Sequence, residues 1–170
     1  MWLLLAAQSF GGPIDRVLFV VGDRIVTQSD AAFELFFDQH DRSPVPALED
    51  ATLSLPERLR DVAVVRQLAG EASVFRPSNA EVRARADAFV ATWPRADDGL
   101  VALEGWGLDE QTFMGFVYSR MVVERCIARS VALPLQPDDP EEVAAWLEKY
   151  RVWILQLRQR TDVRQPVESE

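Results

Sequence analysis

One histidine, His40, and one cysteine, Cys126, are all that this chain offers for imidazole or thiolate chemistry. Together they cannot fill the four-ligand set of a structural zinc site, so no metal or cofactor is expected. His40 ends a predicted helix between Asp38 and Asp41, the place of a surface or helix-capping imidazole. Cys126 lies among Val122, Val123 and Ile127 with no histidine near it in sequence, and reads as a buried, inert thiol. No P-loop, no G-x-G-x-x-G after a strand and no G-x-S-x-G elbow is present. Gly105-Trp106-Gly107 has the letters of a G-x-G but follows a helical stretch. The paired carboxylates Asp97-Asp98, Asp138-Asp139 and Glu141-Glu142 stand at helix starts, where the helix dipole accounts for them. The residues that could do chemistry therefore point away from an enzyme and towards a surface.

The elements that would carry such a surface are mostly helices. A 170-residue chain suits one domain, able to bury about 70% of its unfolded surface. It is 48% apolar and 26% charged, with a net charge of −9 and a single lysine, Lys149. So negative a chain repels phosphate backbones, and nucleic acid is not an expected partner. No apolar run approaches the ~20 residues that span a bilayer.

Residues 16–21 and 24–27 are rich in Val, Ile, Leu and Phe around Gly22-Asp23, which predicts a hairpin with a type II′ turn, Gly22 taking the positive φ. A helix follows, with Ser29 as its cap and Phe33, Phe36 and Phe37 on one face. Residues 41–53, with Pro44 and Pro46, carry no regular pattern. Ser54 with Glu57, Ser78 with Glu81 and Asp139 with Glu142 have capping-box spacing, and Asp109 is a fourth start. The helices these predict cover 55–75, 79–93, 109–130 and 140–160, with Pro94 ending the second and a short turn near 98–105.

Two of these helices carry one apolar stripe each: Val82, Ala86, Phe89, Val90 and Trp93 in the first, and Val143, Trp146, Leu147, Tyr150, Trp153, Ile154 and Leu157 in the last. Helix 109–130 is apolar over most of its circumference, from Phe113 and Met114 to Cys126 and Ile127. It is either a central helix enclosed on several sides or one that offers part of that surface to a partner. Thr161–Gln165 reads as a strand able to join the hairpin, since a lone two-stranded ribbon is marginal in water. Residues 1–13 read either as an export signal, truncated or with its start upstream, plus a lead-in, or as an apolar N-terminus tucked against the fold. The expected fold is mainly α, a helical core with a small sheet of hairpin and C-terminal strand. One domain is expected over 14–165, with an N-terminal region at 14–133, the C-terminal helix and strand at 138–165 and a free tail at 166–170.

Five phrases in order resemble the SurA-type periplasmic chaperones of outer-membrane biogenesis. They are VVGDRIVTQSD (20–30), RLRDVAVVRQLA (58–69), RPSNAEVRARADAF (76–89), GLDEQTFMGFVYSRMVVERCIARSV (107–131) and WLEKYRVWILQLRQRTDVR (146–164). The resemblance implies a helical chaperone core closed by a C-terminal helix and strand, a periplasmic address, and unfolded or extended polypeptides as partners. It departs from the family where a parvulin-type isomerase domain is usual: residues 131–137 join the flanking helices directly. What carries over is an ATP-independent holdase without prolyl isomerase activity. The alternative is an envelope scaffold module that binds one folded partner. Candidate client-binding residues are Phe36, Phe37, Trp93, Trp106, Met114 and Phe116, each of which reads as core before groove.

Overall fold

A computed structural model describes residues 16–50, 52–70, 72–92 and 109–164. The chain opens on a hairpin of β1 (Val17–Val21) and β2 (Arg24–Thr27), then α1 (Gln28–His40), α2 (Leu55–Ala69) and α3 (Asn79–Ala91). After the undescribed stretch come α4 (Glu110–Ser130), α5 (Pro140–Arg160) and β3 (Val163–Arg164). The fold is mainly helical with one small antiparallel sheet of order β2-β1-β3.

Gly22 turns the hairpin with φ +60°, the region that L side chains avoid. β1 pairs with β2 from Val21↔Arg24 to Val17↔Thr27, with a bulge between Val17 and Phe19. On its other edge β1 pairs with β3 through Val20↔Arg164 and Val21↔Val163. The tip is tied to the same strand: Gly22 N–H donates to the Asp162 carbonyl at 3.1 Å, and Arg164 donates to the Gly22 carbonyl at 2.8 Å. The first and last described elements thus close on each other. Phe19, Val21 and Val26 face inward against α2.

Helix starts are written in side-chain caps. Ser54–Glu57 and Ser78–Glu81 form the expected capping boxes, and Asp109 accepts from Thr112 N–H at 2.6 Å. Two starts differ from expectation. α1 is capped by Thr27, not Ser29: Asp30 stands three residues on, so the pair closes a box across the strand–helix junction. Asp139 caps α5 through Glu141 N–H, while the Glu142 carboxylate turns back to Gln136 N–H at 3.0 Å, so no box forms there. α2 ends at Ala69 rather than 75, because Gly70 adopts φ +49° and breaks the ladder; a separate 3-10 turn, Ser73–Phe75, follows. α3 ends at Ala91 with Thr92 as its cap. The loop after α1 contains a 3-10 turn, Pro46–Leu48, and sends Val45, Ala47 and Leu48 into the interior.

α4 is the central helix. Phe113, Val117, Val122, Val123, Cys126 and Ile127 are buried along it, against α2 and α3. α5 buries Trp146, Tyr150 and Ile154 against α2, with Leu147, Trp153 and Leu157 half-buried beside them. Trp146 stacks on Tyr150 at 5.6 Å and donates its Nε1–H to the Val131 carbonyl. Among the described residues no helix is long and apolar enough to cross a membrane. Residues 1–13, the turn near 98–105, Trp93, Pro94, Trp106, Gln165 and the tail 166–170 lie outside the described residues.

Candidate functional site

α4 passes through two separate apolar clusters. Its C-terminal half joins a large cluster with the sheet, α2 and α5, rich in Val, Leu and Ile. Its N-terminal half joins a smaller, aromatic one made of Phe33 and Phe37 from α1, Val82, Ala86 and Phe89 from α3, and Phe113 and Val117 from α4. Phe37 stacks on Phe89 at 4.3 Å and 16°, and Phe113 meets Phe89 at 5.4 Å. Around these buried rings runs a half-buried rim of Phe36, Val90, Met114, Phe116, Tyr118 and Met121. Phe36 also packs against the His40 ring at 4.7 Å, which accounts for the lone histidine as a packing residue at the helix end.

Between the two clusters lies a seam of buried charge. Arg120 of α4 is 7% exposed and points from the helix middle towards the acidic side of α1. It pairs with Glu34 at 3.1 Å and Asp38 at 2.7 Å, donates to the Asp41 carbonyl at 3.3 Å, and lies 4.9 Å over the Phe37 ring. Arg85 of α3 reaches into the same seam, bonding Asp41 Oδ2 at 2.6 Å and both oxygens of Glu124, itself 5% exposed. Arg58 of α2 completes the set, pairing with Asp38 at 2.9 Å and donating to the Leu48 carbonyl at 2.7 Å.

Burial alone would disfavour the Arg120 charge, but Glu34, Asp38 and Glu124 outweigh it and hold the guanidinium protonated. The same balance keeps Arg85 charged, through Glu124 and Asp41. Burial pushes the Glu34 carboxyl up against the pull of Arg120, with Asp38 adding to the rise. Glu34 also lines two small, open hollows beside α1 and α2, shared with Leu59 and Val62. The charges around them, from Arg24, Arg58, Arg120, Asp30, Glu34 and Asp38, balance one another.

The candidate client-binding residues divide clearly. Phe36, Met114 and Phe116 come together on the rim of the aromatic cluster, all half-buried. Phe37 is 2% exposed beneath Phe89 and cannot line an open surface in this arrangement; it is core because the α3 stripe covers it. Trp93 and Trp106 lie outside the described residues. Cys126 is 1% exposed, and burial pushes its thiol above the usual range, away from the thiolate that reactivity requires.

The buried seam is what sequence reasoning missed. Its signal was present: Glu34 and Asp38 fall at i and i+4 on α1 with Asp41 at its C-cap, beside the Phe33–Phe37 stripe, and Arg120–Glu124 is an i, i+4 pair inside an apolar helix. No protein-family model matches this chain, and no curated protein is significantly similar to it.

Proposed function

We propose that this protein is an ATP-independent holdase of the cell envelope, which keeps unfolded outer-membrane and other envelope proteins soluble and has no prolyl isomerase activity. The observation that carries the reading is the half-buried rim of Phe36, Met114, Phe116 and Met121 around the aromatic cluster. Aromatic and methionine side chains are large and adaptable, so one such surface suits many apolar sequences. Burial there would drive binding at about 25 cal/mol per Å² of apolar area, without nucleotide. The order of hairpin, helices, returning helix and third strand fits the SurA-type resemblance, while the short link of residues 131–137, where that family usually holds an isomerase domain, departs from it and supports the absence of isomerase activity.

Light scattering of an unfolded outer-membrane β-barrel protein, diluted from denaturant with and without this chain, tests the proposal. Suppressed aggregation, unchanged by ATP, is the expected result. A scattering curve unchanged by several-fold excess would instead favour a scaffold module binding one folded partner.

A further inference from the structure

We propose that α3 is a flap over the aromatic cluster, latched shut by Arg85, and that the bed beneath it receives aromatic side chains of an unfolded polypeptide. The occupant rests on the holdase reading above; the flap rests on how α3 is held. α3 buries only one narrow stripe, Val82, Ala86 and Phe89, and leaves most of its remaining positions exposed. Among the described residues no backbone hydrogen bond joins α3 to another element. Its polar ties to the other described residues are side-chain contacts, nearly all ionic. Arg85 pairs with Asp41 and Glu124 in the seam, Arg83 with Glu110 at 2.6 Å, and Glu81 with Arg125 at 2.5 Å, while the Thr92 hydroxyl donates to the His40 carbonyl at 3.3 Å.

The large cluster is closed differently. There β3 is laced to β1 and to the Gly22 turn by backbone bonds, and three bulky residues of α5 are fully buried. A buried ion group adds little net stability compared with apolar packing, yet it fixes one closed position and can be exchanged for water when the helix lifts. What α3 covers is a ready aromatic bed: lifting Phe89 uncovers the faces of Phe37 and Phe113 and widens the half-buried rim of Phe36 and Met114 into one surface. Incoming aromatic rings would replace the stacking that Phe89 supplies. The polypeptide competes with α3 for the same bed, which makes the closed helix an internal inhibitor of client capture.

Native-state hydrogen exchange of the full chain, read beside the aggregation assay, tests this. In the wild type the amides of Val82–Phe89 should exchange at least ~10-fold faster than those of Val64, Val65, Val122 and Val123. Arg85→Met should raise α3 exchange by a further ~10-fold and lower the concentration needed for half-suppression about threefold, with α2 exchange unchanged. The milder Arg83→Gln/Arg125→Gln variant removes only exposed ties and should raise α3 exchange ~2–3-fold, which keeps the test open if Arg85→Met does not fold. α3 amides exchanging together with α2 in the wild type and the folded variants would overturn the flap, and would leave the holdase reading standing if suppression persists. Selective α3 opening with no suppression by the wild type or any variant would overturn the occupant, and the holdase reading with it.

Discussion

The two apolar clusters meet on one helix and are built from different side chains. The cluster under the sheet holds twenty buried residues, mostly Val, Ala, Leu and Ile, where the cluster under α3 holds seven, four of them Phe. β-branched side chains lose little by being fixed, because their χ1 is already restricted, and they interlock across a sheet and its covering helices. Aromatic rings bury more area each and tolerate several stacked or tilted arrangements, as the spread of interplanar angles from 16° to 88° in the second cluster shows. One region is therefore a scaffold closed by both ends of the described chain, and the other a smaller body held by rings and ions. Binding regions are drawn from the less stable parts of a fold, and the second region has that construction.

The sharpest way to break the comparison is to remove what closes the scaffold. A chain ending at Pro137 loses Trp146, Tyr150, Ile154 and β3 together. Each large side chain contributes roughly 1.5–3 kcal/mol when buried, a large part of a typical total of ~5–15 kcal/mol. Loss of the cooperative thermal transition, or aggregation at ambient temperature, is the expected outcome by calorimetry.

Next in size is the seam. Arg120→Met leaves Glu34, Asp38, Asp41 and Glu124 facing only Arg85, Arg58 and the more distant Arg24 among the described residues, and breaking a buried group in this way costs about 3–5 kcal/mol. Denaturant unfolding should report that loss. Near-ultraviolet dichroism of the aromatic cluster should change more than that of the tryptophans in α5, because Arg120 also lies over Phe37.

A third test separates the scaffold's own buried pair. Asp61 of α2 is 2% exposed and bonds Arg158 of α5 at 2.6 Å. Burial pushes its carboxyl up to about 6 despite Arg158, and Arg60, Glu57 and Tyr150 are the other titratable groups it faces. With the unfolded value at 3.8, the folded chain binds the extra proton between these two values. The stability this contributes is complete below the unfolded value and is lost as pH rises through about 6. Stability should therefore increase from pH 7 to pH 5, with Asp61 supplying about 1.3 kcal/mol over that range, and Glu34 adds in the same direction. Asp61→Asn should flatten that slope in pH-dependent denaturant melts. An equal slope in the variant would show that Asp61 is not the titrating group.

The smallest effect belongs to the junction of the hairpin with α1. Thr27→Ala opens the capping box with Asp30 and should cost about 1 kcal/mol by denaturant melt.

Much of this architecture was legible before any coordinates. Cap residues located the starts of α2, α3, α4 and α5, because Ser and Asp at a helix start accept from backbone amides two or three residues on. The stripe of Trp146, Tyr150, Trp153 and Leu157 foretold the docking of α5, and the extended segment after it foretold β3. Where a second local signal competed, the reading slipped. Gly70 cut α2 short of an apolar pattern that runs on through Val74 and Phe75, and Asp30 made Thr27 the cap in place of Ser29. The candidate site was half legible. Residue type named Phe36, Met114 and Phe116 as candidates and they do meet on the half-buried rim, but only the placement of α3 decides that Phe37 lies beneath Phe89. The charged seam was hidden for the same reason: its partners come from four helices, and Arg85 and Asp41 are 44 residues apart. No periodicity in one sequence reports a contact of that kind.

The central claim is that the aromatic region, and not the scaffold, meets the unfolded client. A photo-crosslinking residue placed singly at Phe116, on the aromatic rim, and at Val152, 58% exposed on the far face of α5, tests it on the whole protein. With an unfolded outer-membrane protein present, crosslinks should form from position 116 several-fold more efficiently than from 152, and should fall on adding a second unlabelled client. Equal capture from both positions, or capture from 152 alone, would contradict the account.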